Sequence, residues 1–521
     1  MSFRLTYSTM FDPPPALHEQ FEAAVEKVRA DLGGDHAHFI GGQDCSADAL
    51  LDDLSPIDTD CLLGRFPVAR AEHVDAAVAA ARKAFPAWRH TPMAERNRIL
   101  RKVAELIEER VYEISAAVAL EVGKNRMEAI GEVQETADFF NGYCDDFEAH
   151  QGFDHQLPDD PLADYASHNR SVMKPYGAWG IISPFNFPFA LAGGPTAAAL
   201  VTGNTVVLKG APETPWSVRL LAECLRDAGI PAGVFNCILD PDDTAGPLLV
   251  DHPGIAGVTF TGSHDVGMQI CRKATAGAMP RPVIAEMGGK NATIVTANGD
   301  LDRAALGIMR SAFGLTGQKC SACSRLYVEE SVADELIDKF VSLIDQIKIG
   351  DPLLAENYLG PIGTGQAYDN YRTYAKELHD GARVIRGAEA LTDGDMARGY
   401  FCAPTLAEAP LDHRLWKHEM FAPIVMLARV PDKETAMQLA NDTNLGLTAG
   451  FYGNAAETEW FFDNIEAGVT YANRPQGATT GAWPGYQPFG GWKGSGSTGK
   501  GIASFYYLAE YMREQSQTNV E

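Results

Sequence analysis

The sequence lacks long hydrophobic runs and an excess of basic residues. None of its apolar stretches reaches about 18 residues, so we expect no transmembrane helix. Residues 1–15 contain no basic stretch followed by an apolar run, and we expect no secretory leader. Lys and Arg total 43 against 69 Asp and Glu, which gives a net charge of −26. Such a chain repels nucleic-acid phosphates and anionic membranes, so neither is an expected partner.

Cysteine is present but forms no recognisable framework. The nine cysteines are odd in number and irregularly spaced, so we expect free thiols and a cytoplasmic protein. Cys320 and Cys323 have the spacing of half a zinc site or of a redox pair. Because no second pair and no histidine cluster accompanies them, we predict no metal.

Length and composition are those of a globular protein. The 521 residues allow about three domains of ordinary size, or two interleaved ones. Hydrophobic residues make up 45% of the chain and charged residues 21%, which excludes disorder and collagen-like repeats as the main class.

Short apolar strands alternate with helical segments from residue 172 to residue 295. This alternation predicts an α/β fold with a mostly parallel sheet and helices on both faces. The predicted strands are Ala178–Ile182, Thr205–Leu208, Val234–Leu239, Val258–Phe260 and Val283–Glu286. The predicted helices between them include Phe189–Leu200 and Pro215–Ala228.

Helical periodicity precedes this region, and a second alternating block follows it. Helices are predicted near Leu17–Leu32, Val74–Trp88 and Ile99–Ile107. Later elements include the helices Asp334–Ile347 and Lys433–Asn441 and the strand Ile424–Arg429. The stretch Gly477–Thr498, rich in Gly, Thr, Trp and Pro, predicts a binding loop.

Three polar side chains have surroundings that suit covalent chemistry. Cys320 lies among small residues, where a following helix would lower its thiol pKa, although most cysteines are simply buried. Glu286 ends an apolar strand, so it faces the crevice of a parallel sheet or else serves as a cap or ion-pair partner. Asn186 follows a strand, where its amide would stabilise an oxyanion or form the turn.

Two segments that follow strands carry the residues of a dinucleotide site. Gly262, Ser263 and Gly267 lie between a strand and a helix whose N-terminus could hold a phosphate. The middle glycine of Gly-x-Gly-x-x-Gly is missing, so a plain turn stays open. Lys209 ends another strand with Glu213 nearby, and this pair could bind ribose hydroxyls or form a solvated strand end.

Together these motifs resemble those of the aldehyde dehydrogenase superfamily, from about Arg70 to the C-terminus. The most specific are Glu-Met-Gly-Gly-Lys at 286–290 and Gly-Gln-Lys-Cys at 317–320. Pro-Phe-Asn-Phe-Pro around Asn186, Glu-Met-Phe-Ala-Pro at 419–423 and Pro-Phe-Gly-Gly at 488–491 complete the set. Each motif supplies the context that the others need, so their coincidence favours the functional interpretation of all five.

The resemblance implies NAD(P)-dependent oxidation of an aldehyde through a thiohemiacetal and a thioester. Cys320 would be the nucleophile, Glu286 the general base and Asn186 the oxyanion donor. The implied cofactor-binding residues are Lys209, Glu213, Gly262, Ser263, Gly267, Glu419 and Phe421. The family usually reads Lys-x-x-Glu, whereas the glutamate here is displaced by one residue. We therefore predict NAD and keep NADP open.

The residues after Cys320 resemble those of the 1-pyrroline-5-carboxylate dehydrogenases, which oxidise glutamate γ-semialdehyde. In that subgroup a hydroxyl and a backbone turn hold the substrate carboxylate, and two rings flank the aliphatic chain. The corresponding residues here are Ser321, Gly481, Ala482, Phe187 and Phe489. Pro188 and the loop Trp492–Ile502 depart from the subgroup, so another aldehyde class or a plain glycine-rich turn stays open.

The resemblance also implies a division of the chain. A Rossmann-type cofactor domain is predicted over 1–152 and 176–288, an α/β catalytic domain over 289–490, and bridging elements over 153–175 and 491–521. The bridge would be a β-hairpin, Asp154–Asp164 and Ser167–Lys174, with Ser516–Glu521 as its partner strand. Such edge strands pair between subunits, so we expect a homodimer or a larger homo-oligomer.

Two other functions compete with hydrolytic aldehyde oxidation. A CoA-acylating semialdehyde dehydrogenase of similar fold would not need a base, so the presence of Glu286 favours hydrolysis. A non-catalytic binding protein predicts damage to Cys320, Glu286 or Asn186, and all three are intact. A small-molecule aldehyde is therefore the expected partner.

Overall fold

Strands and helices alternate along most of the computed structural model, which describes residues 5–521. The α-helices are α1 (Pro15–Ala30), α2 (Ala71–Trp88), α3 (Met93–Glu109), α4 (Val111–Val122), α5 (Arg126–Ala149), α6 (Ala190–Val201), α7 (Pro215–Asp227), α8 (Ala245–Asp251), α9 (His264–Thr275), α10 (Leu301–Phe313), α11 (Glu330–Ile344), α12 (Gly365–Gly381), α13 (Lys433–Asn441) and α14 (Ala455–Asn464). The strands are β1 (Gly34–Asp35), β2 (His38–Ile40), β3 (Gln43–Cys45), β4 (Leu50–Leu54), β5 (Leu62–Pro67), β6 (Asp154–Leu157), β7 (Ser167–Pro175), β8 (Ala178–Ile182), β9 (Thr205–Lys209), β10 (Phe235–Ile238), β11 (Gly257–Gly262), β12 (Val283–Met287), β13 (Asn291–Val295), β14 (Cys323–Glu329), β15 (Arg383–Arg386), β16 (Thr405–Glu408), β17 (Ile424–Val430), β18 (Leu445–Gly446), β19 (Thr448–Tyr452), β20 (Val469–Ala472), β21 (Trp492–Lys493) and β22 (Met512–Val520).

The first large sheet has the strand order β12-β11-β8-β9-β10-β2-β3. Its strands from β12 to β10 are parallel, and β2 and β3 extend one edge in antiparallel pairing. The order reverses between β8 and β11, where the carboxyl ends form the crevice in which open sheets bind ligands. The predicted parallel sheet is confirmed, and β8 has its predicted bounds at both ends.

Helices cover both faces of this sheet, which explains why its strands are almost entirely apolar. Val206, Val207 and Leu208 of β9 are fully buried. Val206 and Leu208 belong to the core cluster that includes residues of α6, whereas Val207 belongs to the cluster that includes residues of α2. Successive side chains therefore enter different cores, as the alternation of a strand requires.

A second large sheet has the order β15-β16-β17-β14-β13-β19-β20, with β15 antiparallel at its edge. The segment Gly288–Lys290 leads from the carboxyl end of β12 into the amino end of β13. The carboxyl edge of the first sheet thus faces the amino edge of the second, where Cys320 precedes β14. Glu286 and Cys320 consequently line one cleft.

The third sheet joins β22, β7 and β6 in antiparallel order. Its longest pairing runs from Met512 opposite Pro175 to Val520 opposite Ser167. The predicted hairpin and C-terminal strand are present with different ends. β6 stops at Leu157 because a proline follows, and β22 begins well before the predicted Ser516. The domain boundaries stay a prediction.

The other predicted elements are present, some with shifted ends. The helix predicted over Asp334–Ile347 is α11, which begins at Glu330 and ends at Ile344, whereas α13 has its predicted bounds. The glycine-rich stretch Gly477–Thr498 is mostly irregular and contains β21. None of the helices within residues 5–521 has the length and apolar content needed to span a bilayer.

A fully buried ion pair fixes the turn between β8 and α6. Lys124, just after α4, pairs with Glu132 of α5, and neither side chain is exposed. The Lys124 ammonium donates to the backbone oxygen of Asn186 at 2.8 Å and lies 4.0 Å from the Phe187 ring centroid. The Glu132 carboxylate accepts the Phe189 N–H at 2.9 Å, just before α6 begins. One charge pair therefore connects α5 to both ends of this turn.

We predict that Lys124→Met destabilises the fold by about 3–5 kcal/mol, because it leaves the Glu132 carboxylate buried without its cation. A lower urea midpoint of unfolding would measure the loss. Lys102→Met is the matched control, since Lys102 pairs with Glu105 on the exposed surface of α3 and should leave the midpoint unchanged. Equal midpoints for Lys124→Met and the parent would contradict the prediction.

Candidate active site

Two cavities meet at Cys320. The larger has a volume of about 630 Å³ and is lined by residues at the carboxyl ends of β8, β9, β11 and β12. The second is lined by residues of the N-terminal segment, of α5 and of the loop before β21. Cys320 and Leu191 line both cavities. A molecule in either cavity can therefore reach the thiol.

The larger cavity gathers most of the residues predicted to bind the cofactor. These are Lys209, Glu213, Gly262, Ser263, Glu419 and Phe421, and Asn186 and Glu286 line the same space. Ser263 caps α9 by accepting the Val266 N–H, so the positive end of this helix borders the cavity. A Cβ on Gly262 would lie 2.6 Å from the Phe260 ring, which leaves room for glycine only. A long cavity with a helix N-terminus on its wall fits a dinucleotide.

Gly267 is the exception among the predicted cofactor residues. It lies in the first turn of α9 and does not line the larger cavity. A Cβ at this position would lie 2.5 Å from the sulfur of Met287. This glycine allows α9 to pack closely on β12, so its requirement comes from packing and not from contact with a ligand.

A strained turn precedes Cys320. Leu315, Thr316 and Gly317 have left-handed backbone, with φ of 49°, 53° and 70°. Leucine and threonine rarely adopt this conformation, so the surroundings must enforce it. The Thr316 hydroxyl donates to the Gly360 carbonyl at 3.0 Å.

Asn291, the first residue of β13, holds the backbone of Cys320. Its side-chain amide donates to the carbonyl oxygens of Cys320 at 2.7 Å and Ala322 at 2.9 Å. Its side-chain oxygen accepts the Thr448 N–H at 3.0 Å. A Cβ on Gly289 would lie 2.4 Å from the Cys320 carbonyl oxygen. The second glycine of the Glu-Met-Gly-Gly-Lys motif, Gly289, is thus needed for its segment to lie close to the backbone of Cys320.

The expectation that a helix follows Cys320 is wrong. The chain enters β14 at Cys323, so no helix N-terminus lowers the thiol pKa. Burial, followed by the charges of Glu419 and Glu286, raises the pKa of the Cys320 thiol to about 12. The thiol is therefore neutral in this state of the protein.

The two carboxyl groups near the thiol also hold their protons more tightly than usual. The Oε2 atom of Glu286 is buried and has no hydrogen-bond partner within residues 5–521. Burial, and then the charge of the largely buried Glu510, raises the pKa of Glu286 well above its usual value. Glu419 accepts the Gly289 N–H at 2.9 Å, and burial raises its pKa to about 7. Of the two, Glu419 can exchange a proton near neutral pH, and Glu286 is a stronger base than an exposed glutamate.

Asn186 lies on the turn that the Lys124–Glu132 pair fixes. The side chain is buried, and its amide donates to the Gln318 carbonyl at 2.8 Å. Gln318 lies two residues before Cys320, so the Asn186 amide contacts the segment that carries the Cys320 thiol. The structure therefore brings the three predicted catalytic residues, Cys320, Glu286 and Asn186, to one cavity.

The second cavity gathers all the residues predicted to bind the substrate: Phe187, Ser321, Gly481, Ala482 and Phe489. Ser321 is buried, and its carbonyl accepts the Thr479 hydroxyl at 2.6 Å. Gly481 has a φ of 99°, and Arg474 donates to its carbonyl at 2.8 Å. Ser321 and the turn at Gly481 thus line the same cavity.

Sequence reasoning missed the other residues of this cavity. They include Tyr7, Met10, Phe11, Glu128, Glu135, Arg310 and Lys319. The Tyr7 hydroxyl donates to Glu135 at 2.6 Å, and burial raises the pKa of Glu135 to about 8. Lys319 pairs with Glu128 at 2.7 Å. The seven-residue spacing of the two glutamates on α5 was an available signal, since it places both on one helix face.

Cys323 does not take part in this site. Its thiol is buried beside the Thr293 hydroxyl at 3.2 Å. Among residues 5–521, no group of three or more His, Cys, Asp or Glu side chains is arranged to hold a metal ion.

We predict that Glu286→Gln changes how stability depends on pH. A carboxyl group with a raised pKa in the folded chain favours folding below its unfolded pKa and loses this contribution as the pH rises through the folded value. The unfolding temperature of Glu286→Gln should therefore rise relative to the parent as the pH increases above about 4.3, the usual pKa of a glutamate. Glu105→Gln, on the exposed face of α3, is the control and should keep the parental trend. Parallel curves for Glu286→Gln and the parent would contradict the prediction.

Comparison with known proteins agrees with this geometry. A profile of the aldehyde dehydrogenase family matches residues 43–516. The chain is 38% identical over 502 residues to 1-pyrroline-5-carboxylate dehydrogenase of Geobacillus sp. (strain WCH70), with 95% of each chain covered. It is 36% identical over 508 residues to the protein of the same name from Bacillus cytotoxicus, with 96% of each chain covered. A crystal structure of 1-pyrroline-5-carboxylate dehydrogenase from Thermus with bound NAD matches with a TM-score of 0.92 and 31% identity, over 100% of this chain and 99% of that chain. The chain therefore belongs to the aldehyde dehydrogenase family.

Proposed function

We propose that this chain oxidises glutamate γ-semialdehyde, or a related semialdehyde that carries a carboxylate, to the acid with NAD. The observation that carries the proposal is the position of Cys320 between two cavities. One, of about 630 Å³, follows the carboxyl ends of four parallel strands, and the other has Ser321 and Gly481 in its wall. The names of the relatives from Geobacillus and Thermus support the substrate, and the NAD bound in the Thermus structure supports the cofactor.

The residues of the larger cavity would hold NAD along its length. Gly262 and Ser263 would bind the pyrophosphate at the start of α9, and Glu419 and Phe421 the nicotinamide ribose. The opposite end, with Lys209, Glu213 and Asp243, would take the adenosine. Bound NAD supplies the hydride acceptor next to the thiol.

Cys320 is the nucleophile of the first step. After the thiol has given its proton to water, its sulfur attacks the aldehyde carbon, a C–S bond forms, and the carbonyl electron pair moves to oxygen. The Asn186 amide and the Cys320 N–H donate hydrogen bonds to this oxyanion, and losing one such donor typically costs about 10²–10³ in rate. Collapse of the thiohemiacetal restores the C=O bond, expels hydride and leaves a thioester on Cys320.

Glu286 is the general base of the second step. Its carboxylate takes a proton from water, the resulting hydroxide attacks the thioester carbon, and the C–S bond breaks. The product leaves as the acid, and the sulfur, which stays bonded to Cβ of Cys320 throughout, is left as a thiolate. The raised pKa of Glu286 suits this role, because it makes the carboxylate a stronger base than an exposed glutamate. A base in this position favours transfer to water over transfer to CoA.

The second cavity suits a substrate with an amino-acid end. The Ser321 hydroxyl and the backbone N–H groups of the turn at Gly481 and Ala482 would bind a carboxylate. Glu135 lines the same cavity, and an ammonium group bound beside it would lower its raised pKa and pair with the resulting carboxylate. Two rings would flank the aliphatic chain between these ends: Phe187 and Phe489.

The predicted domain division, location and assembly belong to the same proposal. The two large sheets fall on either side of residue 288, which supports a cofactor domain before it and a catalytic domain after it. All nine cysteines are free, which supports a reducing cytoplasm. The outer edges of β6 and β22 leave backbone groups that a second copy of the chain could pair with, which supports a homo-oligomer.

We predict that Cys320→Ala lowers NADH formation by on the order of 10⁴-fold or more, because it removes the nucleophile. The assay contains glutamate γ-semialdehyde and NAD, without CoA. A fluorescence titration should show unchanged NAD affinity. Cys323→Ala is the matched control and should stay active. Turnover by Cys320→Ala, or a strict requirement of the parent for CoA, would reject the proposed chemistry.

The carboxylate site is tested by Ser321→Ala. A hydrogen bond to a charged group is worth about 1.5–3 kcal/mol, so kcat/KM for glutamate γ-semialdehyde should fall by about 10–150-fold. Propanal, which carries no carboxylate, serves as the internal control and should react equally well with variant and parent. A parent that uses propanal as efficiently as the semialdehyde would remove the carboxylate site from the proposal.

A further inference from the structure

The larger cavity reaches the carboxyl ends of β9 and β10, which lie on the side of β8 away from β11 and β12, so in the strand order this end is the farther one from Glu286. Two acidic side chains, Glu213 and Asp243, and one basic side chain, Lys209, line this end. Because the thiol must face the nicotinamide, this end is the one left for the adenosine half of the cofactor. Dinucleotide sites of open α/β sheets select NAD with an acidic residue that accepts a hydrogen bond from the ribose 2′-hydroxyl.

The sequence predicts Glu213 as that acid, acting with Lys209. In the structure, Lys209 forms its ion pairs with two other acidic residues. The Lys209 ammonium lies 2.5 Å from an oxygen of Asp243 and 3.5 Å from an oxygen of Asp240. Both aspartates follow β10, the strand next to β9 in the sheet. The carboxylates that Lys209 contacts thus come from a neighbouring loop and not from its own.

Asp240 and Asp243 differ in what else they bind. Asp240 is buried, and its carboxylate already accepts the N–H groups of Ala245 at 2.8 Å and Thr244 at 3.2 Å at the start of α8. The side chain of Asp243 is 67% exposed and lines the cavity. Its backbone has a φ of 55°, and its N–H donates to the Asp240 carbonyl at 3.1 Å. A tight turn therefore presents the Asp243 carboxylate to the cavity.

We propose that Asp243 determines the preference for NAD by accepting a hydrogen bond from the adenosine ribose 2′-hydroxyl and by repelling a 2′-phosphate. The proposal rests on the proposed use of a nicotinamide dinucleotide. A 2′-phosphate would bring about two negative charges next to this carboxylate. Lys209 offers little compensation, because its charge is already shared by two aspartates.

Binding of adenosine ligands tests this role without catalysis. Parent and Asp243→Asn are titrated with NAD and NADP, and with adenosine 5′-monophosphate and adenosine 2′,5′-bisphosphate, by calorimetry. Asparagine tolerates the left-handed backbone of this position, so the turn is kept. In each pair, the Kd of the ligand with the 2′-phosphate is divided by the Kd of the ligand without it. We expect Asp243→Asn to lower this ratio by at least about 10-fold in both pairs. Asp243→Gly, which also fits this backbone, is a second variant with the same expected direction.

Asp242→Asn is the matched control. Asp242 is the preceding residue of the same loop, pairs with Arg70 at 3.3 Å and does not line the cavity. Its substitution should leave the Kd ratio unchanged. An unchanged ratio in both Asp243 variants, or a larger shift in Glu213→Gln than in Asp243→Asn, would overturn the inference. A parent that binds neither NAD nor adenosine 5′-monophosphate would instead refute the proposed cofactor.

Discussion

The close approach of two sheet edges at Gly288 and Gly289 is the constraint on which the site depends. A Cβ on Gly288 would lie 2.0 Å from the Glu419 carboxylate, and one on Gly289 would lie 2.4 Å from the Cys320 carbonyl. A side chain at residue 289 would collide with the backbone of Cys320, and one at residue 288 would displace the Glu419 carboxylate, so both glycines keep these segments close to the connection from β12 to β13. The cavity along the first sheet ends at the thiol because this junction is so tight.

Several features of the junction oppose folding. Left-handed backbone at Leu315 and Thr316 costs on the order of 1–3 kcal/mol per residue, and Glu286 buries an oxygen without a partner. These costs fall on a few residues, whereas many apolar side chains are buried in the cores on both faces of the two sheets and stabilise the fold. The buried Lys124–Glu132 pair holds the opposite wall of the cleft in place. A rigid frame around a strained turn keeps the reacting groups oriented before any ligand arrives.

Local sequence patterns predicted the frame of the molecule but not the contacts between distant segments. β8 and α13 have their predicted ends, because each is a periodic run with clear limits. The helix expected after Cys320 was wrong, since the small residues there lead directly into a buried strand. Gly267 was predicted to bind the cofactor but packs against Met287, because a glycine in a sequence motif can serve either ligand contact or close packing. Tyr7 and Asp243 were missed because their partners, Glu135 and Lys209, lie far away in the sequence.

The electrostatics of the site link the reactivity of Cys320 to what the larger cavity contains. Burial and two carboxyl groups keep the thiol neutral, and a neutral thiol resists oxidation because the thiolate is the reactive form. A positively charged ring beside the sulfur would lower the pKa of Cys320 and of Glu286 together, since an opposite charge favours each ionised form. The nucleophile and the base would then become active at the same moment. Burial and the neighbouring carboxyl groups therefore oppose ionisation of Cys320, and a positive charge bound in the larger cavity would favour it.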